Sequence, residues 1–174
     1  DKKAAYEAVQ YLINQGRKKI ALVTTVDYVS VGKLRTDGYI KALQDNNIAF
    51  DENLIIKIED VDTCEITISK LLADKVIDAV FAVNELFAVT ILKTAHKMNL
   101  IVPKDLAIIA FTDGIISKYS TPTITTVSQS GIKMGKKAAE ILIARLESEE
   151  DDNDEEIYKT EIIETHLIER ESTD

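Results

Sequence analysis

Residues 78 to 113, DAVFAVNELFAVTILKTAHKMNLIVPKDLAIIAFTD, restrict the fold more than any other stretch of the chain. Ala79 to Val83 is an unbroken apolar run, the pattern of a parallel strand buried on both faces. Asn84 and Glu85 follow where a helix N-cap and a first-turn acid belong. From Leu86 the apolar residues fall at 87, 88, 91, 92, 95 and 98, a helical stripe. The helix must end near Asn99, because the residue before a proline disfavours helical geometry and Val102-Pro103 lies just beyond. Leu106 to Phe111 is a second buried strand, stopped by Thr112-Asp113-Gly114. Two parallel strands joined by one helix put Asn84-Glu85 and Thr112-Asp113 on the same rim of a sheet. Open α/β sheets bind ligands outside the carboxyl ends of their strands, so this rim is the expected site.

The flanking sequence extends the same grammar. Residues 2 to 15 carry apolar positions at 5, 8, 9, 12 and 13 and close on Gly16, predicting an amphipathic helix. Ile20 to Thr24 is a strand, Thr25 to Gly32 a loop, and Leu34 to Asn46 a helix with Leu34, Tyr39 and Leu43 facing inward. Leu54 to Ile58 is a strand, and Thr63 is the expected cap of a helix running to about Asp74. The order αβαβαβαβ predicts right-handed crossovers and a parallel sheet. After Gly114 the pattern changes. Ser117 to Thr121 is turn-like, Thr123 to Ser128 a short β-branched strand, and Ile132 to Leu146 an amphipathic helix with Lys133, Lys136, Lys137 and Arg145 on its polar side. Acids fill eight of the ten positions from Glu147 to Glu156, the composition of a solvated loop. Ile157 to Ile168 is strand-like, and Arg170 to Thr173 a polar tail.

Composition removes several functions. A net charge of -9 argues against nucleic-acid contact by this chain, since phosphate binding needs a basic face. No apolar run is long enough for a membrane span. One cysteine, Cys64, excludes an internal disulfide and suits a reducing cytoplasm, and Cys64 is expected as a small helix-facing residue. With only His96 and His166 beside it, neither a metal site nor a nucleophile–base pair is expected, and the glycines are too scattered for a phosphate loop. The chain opens on Asp1-Lys2-Lys3 without a methionine, as a fragment does, so the lack of a leader carries no weight.

Several pieces fit one known pattern in one order: Ala8-Val9, Tyr11-Leu12-Ile13 and Gly16 before Ile20-Ala21; Arg35 with Gly38-Tyr39 and Ala42-Leu43; Asp78 to Ala82 with Asn84-Glu85; Val102 to Ile109; Pro122 to Val127 with Gln129 and Met134-Gly135; and Leu167 to Thr173. Over essentially its whole length the chain resembles the effector-sensing part of the LacI/GalR family of bacterial transcription regulators. The resemblance implies a doubly wound, periplasmic-binding-protein-like (type I) α/β fold. This chain would hold the second of two lobes, residues 1 to 121 and 162 to 174. Residues 122 to 161 would return to a first lobe that, like the DNA-binding head, is missing.

The resemblance also assigns roles. On sequence alone Arg35 is a solvated surface arginine; the family places an effector-contacting arginine there, and its planar fork suits paired hydroxyls or a carboxylate. Asn84 is a helix cap that the family also uses to reach the ligand. Thr112 departs from the family, which commonly carries the first of two acids there; only Asp113 is kept. Glu59 and Gly131 stand where relatives place aromatic rings, a further departure from the simple-sugar pattern that leaves room for a more polar or charged effector. Gln129 is a hinge-side polar candidate. A two-fold dimer contact is implied through Asp60, Glu65, Val89, Leu92, Ile116 and Tyr119, with Val89, Ile91, Leu92 and Ala95 at mixed helical phases supplying apolar surface in excess of what one side of a sheet needs. The expectation is a non-catalytic ligand sensor of a cytoplasmic repressor without cofactor or metal, acting on DNA only through the missing head. A transport-type periplasmic binding protein is the first alternative, and an enzyme on a doubly wound sheet the second.

Overall fold

The computed structural model of the 174-residue chain describes residues 1–26, 30–74, 76–147 and 160–174. Its elements run α1 (Lys2–Asn14), β1 (Ile20–Thr25), α2 (Ser30–Asp45), β2 (Ile55–Ile58), α3 (Cys64–Asp74), β3 (Ala79–Ala82), α4 (Glu85–Lys97), β4 (Ala107–Phe111), α5 (Ile115–Tyr119), β5 (Thr125–Ser128), α6 (Gly131–Glu147) and β6 (His166–Ile168). One six-stranded sheet has the order β2-β1-β3-β4-β5-β6. All neighbours are parallel except β5 and β6. α1 packs on α2, and α3 on α4.

The predicted buried strands hold. Every residue of β3 and β4 is buried, and together with β1 they line the core with Leu22, Phe81, Ile108, Ile109 and Phe111. Phe81 and Phe111 stand 5.9 Å apart, tilted against each other across neighbouring strands. Gly16 ends α1 with φ +89, a conformation that needs no Cβ, and the backbone N–H groups of Gly16 and Arg17 satisfy the last carbonyls at Ile13 and Leu12. The Asn84 side chain accepts from Phe87 N–H at 2.8 Å, the N-cap bond expected for α4.

Other expectations are corrected. α2 begins at Ser30, so its first turn lies within the predicted loop. Leu34 is 42% exposed, and Arg35 takes the inward position beside Tyr39 and Leu43; the helical phase there favours the residue that finds polar partners inside. Thr63 does not cap α3. Asp60 starts a 3₁₀ turn, Val61–Thr63, by accepting from Asp62 N–H, and α3 continues from it. Ser117 and its neighbours form the short helix α5 rather than a turn. Within Ile157 to Ile168 only β6 is a strand among the described residues. The acidic run lies outside the described residues apart from Glu147.

The C-terminal tail closes the core. Ser172 Oγ donates to Ile108 C=O at 2.6 Å and accepts from Thr125 N–H at 2.8 Å, tying β4 to β5. Among the described residues of α6, by contrast, none is buried, and Ile132, Leu142 and Leu146 lie open.

Candidate functional site

The sheet order 2-1-3 reverses direction between β1 and β3, and the crevice beyond their carboxyl ends is where such sheets bind ligands. Arg35 fills this point from α2. Its Nη1 donates to Val83 C=O at 2.6 Å. Nε and Nη2 both donate to Asp1 Oδ1, at 3.0 and 2.9 Å. The guanidinium lies 3.7 Å from the centroid of the Phe111 ring. Arg35 is only 6% exposed, and burial pulls its pKa down to about 10. It is therefore not the solvated arginine that composition suggests. A charge this deep persists because a carboxylate, a carbonyl and a ring face compensate it. These three bonds leave two of the five guanidinium N–H groups for another acceptor.

Asn84 directly follows Val83. The cap engages its Oδ1, which leaves the side-chain NH₂ as the end with donor capacity outside the cap. On β1, Thr24 and Thr25 carry buried hydroxyls without a hydrogen-bond partner among the described residues. Both face Gly32 at the start of α2, where a Cβ would come within 2.5 Å of Thr25 Oγ1 and 3.4 Å of Thr24 Oγ1.

Beyond β4, Thr112 has φ 78, unusual for a β-branched residue. Its N–H donates to Val127 C=O at 3.0 Å, and its exposed hydroxyl donates to Gln129 Oε1 at 3.1 Å. The fold thus brings Thr112 and Gln129 together, and Arg35 beside Asn84, with Phe111 linking the two pairs. Asp113 is placed differently. Its Oδ1 accepts from Arg170 Nη2 at 2.5 Å and from Thr126 Oγ1 at 3.1 Å, and Oδ2 meets Lys118 Nζ at 3.1 Å. Burial opposes its charge, but the hydrogen bonds from Arg170, Lys118 and Thr126 outweigh that and hold its carboxyl below the usual aspartate range. Its lone pairs are largely committed within the protein.

Sequence reasoning missed four residues of this arrangement. Asp1, Phe111, Lys118 and Arg170 each bind a predicted site residue through the fold. Phe111 stood in a predicted buried strand and Arg170 in the polar tail, and neither pattern says which distant side chain arrives opposite.

The expected contact residues scatter over the α3–α4–α5 side. Asp60, Ile116 and Tyr119 are exposed. Glu65 bridges Lys93, at 2.8 Å, and Lys97, and hydrogen bonds from these lysines hold its pKa at about 2. Val89 is half-buried, but Leu92 is 4% exposed and belongs to the internal core. The sheet beneath α4 takes up apolar surface that seemed in excess, so Leu92 is corrected from a contact residue to a core residue.

Among the described residues no helix is long and apolar enough to cross a membrane, and no group of three or more His, Cys, Asp or Glu side chains is placed to hold a metal.

Known proteins agree with this architecture. The chain is similar to the HTH-type transcriptional regulator MalR of Clostridium butyricum, 37% identical over 172 residues that cover 98% of this chain and 50% of that protein. It spans about half the length of the curated relatives it matches. Among solved structures, a LacI-family transcriptional regulator from Sanguibacter keddieii superposes with a TM-score of 0.89 at 28% identity, over 99% of this chain and 64% of that one. The transcriptional regulator CelR in complex with cellobiose gives 0.82 at 28% identity, over 97% and 51%. The profile of the periplasmic binding protein-like domain matches residues 9–173. By fold, sequence and extent of match, the chain belongs to the periplasmic binding protein-like domain family, in the form carried by LacI-family transcription regulators.

Proposed function

We propose that this chain is the effector-sensing lobe of a LacI-type transcription regulator, binding a small polar metabolite at the rim formed by Arg35, Asn84, Thr112 and Gln129. The observation that carries the reading is that these groups line the carboxyl edge of the sheet, Arg35 bonded to Val83 C=O beside Asn84 at the switch point and Thr112 bonded to Gln129 beyond β4 and β5, in a chain whose relatives are transcriptional regulators. Those relatives favour a regulator over a transport protein. Arg35 is paired with Asp1, and Asp113 is held by Arg170 and Lys118, so the side chains at the rim itself, Asn84, Thr112 and Gln129 beside the paired Arg35, offer hydrogen bonds rather than an unpaired charge. This favours an uncharged polyhydroxyl ligand, as in the cellobiose complex of CelR. Asp113 acts by supporting Thr112 rather than by meeting the ligand.

The same reading gives the rest of the chain its place. Pairing of β5 with β4 and β6 supports counting residues 125–128 with this lobe. The bare apolar side of α6 fits a helix that packs against a first lobe outside this chain. DNA contact belongs to a head also outside it, consistent with the net charge of -9. Such a regulator acts in the cytoplasm, has no catalytic step, and assembles as a homodimer through the α3–α4–α5 side, where Val61, Ile66, Ile115 and Tyr119 are exposed. Effector binding favours one orientation of the two lobes and thereby shifts affinity for DNA.

A thermal-shift screen of neutral saccharides against sugar phosphates, on the longer regulator, tests the assignment. A neutral saccharide should stabilise the protein, and Gln129→Ala should weaken that by about 1 kcal/mol, one neutral hydrogen bond. Binding to the 174-residue chain alone should be far weaker, because half a cleft leaves the ligand wet. Stabilisation by phosphates only, or insensitivity to Gln129→Ala, would place the site or its chemistry elsewhere.

A further inference from the structure

α5 is five residues long, too short to hold itself together in water, so its position is set by what grips it. Two carboxylates do so, and each directly follows a rim residue in sequence. Glu85, next to Asn84, accepts from the Ser117 backbone N–H at 2.7 Å through Oε1. Its carboxylate also presses on Gly114, where a Cβ would stand 2.1 Å from Oε2. Asp113, next to Thr112, holds Lys118 Nζ at 3.1 Å while its other oxygen is anchored by Arg170 and Thr126.

The inner side of α5 is loosely satisfied. Ser117 is fully buried, yet its Oγ has no hydrogen-bond partner among the described residues. Its outer side is apolar and open, with Ile115 71% and Tyr119 82% exposed. A helix held by two carboxylate tethers and one backbone bond, from Ile124 N–H to Ser117 C=O at 2.9 Å, over an unsatisfied buried hydroxyl has little packing energy fixing one position.

We propose that α5 is a positional reporter of the rim, with Glu85 and Lys118–Asp113 as its two tethers. A change at Asn84 tilts the first residue of α4 and carries Glu85 with it. A change at Thr112 moves Asp113. The two tethers meet α5 at consecutive residues, Ser117 and Lys118, so rim movements shift the helix and its exposed apolar face together. Glu85 and Asp113 are positioning residues here, not ligand groups.

Amide spectra of the 174-residue chain test this without any ligand. Gln129→Ala removes the acceptor of the Thr112 hydroxyl and touches nothing in α5. The expected result is a shift of the 115–119 amides larger than that of the β2 amides, which lie on the far side of the sheet. In a Glu85→Gln/Lys118→Met background the α5 response should be lost while the Thr112 amide still responds. Lys118→Arg, which keeps a charged donor, should preserve the response. Lys118→Met alone, at a side chain 49% exposed, makes the same comparison should the double variant fail to fold. An α5 shift that survives without the tethers, or no α5 shift in the parent, overturns the proposal. Neither outcome depends on the identity of the effector, so it fails separately from the functional assignment.

Discussion

Gly114 shows how one residue can be chosen for space rather than conformation. Its φ of -91 and ψ of -174 are open to any residue, but a Cβ would collide with the Glu85 carboxylate. Gly114→Ala should therefore break the Glu85–Ser117 bond and cost about 1–2 kcal/mol in urea denaturation. Gly135→Ala, where nothing lies within 4 Å of the added Cβ, should stabilise by up to about 1 kcal/mol through helix propensity. Equal effects at the two glycines would mean that the close contact is not real. Asp113 carries a pH dependence of definite sign. Its folded pKa is depressed, so its contribution is present above the unfolded value of about 3.9 and is lost as pH falls through the lower folded value. Asp113→Asn should destabilise by about 2 kcal/mol at pH 7. The gap to the parent should close below about pH 4, as the parent carboxyl takes up its proton. A gap independent of pH would show that packing, not charge, is what the aspartate supplies.

At the scale of elements, the tail stands out. Residues 170–173 are a polar tail in sequence, yet Ser172 is 0% and Thr173 4% exposed. Ser172 contributes two side-chain bonds and two backbone bonds, the latter to Ile108 and Thr123, so the tail acts as a strap across β4 and β5. Ser172→Ala leaves Thr125 N–H and Ile108 C=O without these partners inside the core. Thermal unfolding should report a loss of about 2–3 kcal/mol, the cost of stranding buried polar groups. A loss below about 0.5 kcal/mol, the range of ordinary surface changes, would show that water reaches these groups. The opposite case is α6, an amphipathic helix none of whose residues is buried among the described residues. Periodicity revealed the stripe but could not say what covers it.

For the whole molecule, the proposed dimer makes a separable prediction. Tyr119→Asp places a charge on an 82% exposed ring position and should lower the mass seen by light scattering while leaving the circular dichroism intact. Leu92→Lys is the wrong probe, because a lysine at a 4% exposed core position unfolds the protein before it can report on association. A chain that is already a monomer at high concentration, or a dimer unmoved by Tyr119→Asp, would remove the α5 side from the contact.

What the sequence determined by itself follows from covalent geometry. The alternation of apolar runs with 3.6-residue stripes made β3, α4 and β4 readable, since burial on a sheet or helix face imposes those periods locally. Right-handed crossover then placed Asn84 and Thr112 on one edge, and the Asn84 cap needed only its own neighbours. The tertiary structure decided everything that depends on which distant group arrives opposite. Arg35 is buried because Phe111 and the Asp1 carboxylate meet it there. Asp113 is consumed because Arg170, far along the chain, folds back beside it. Leu34 left its expected inward face to Arg35 because the phase of α2 is settled by packing, not by the side chain's own hydrophobicity. Charge compensation is a property of contacts between remote segments, and no local pattern encodes it.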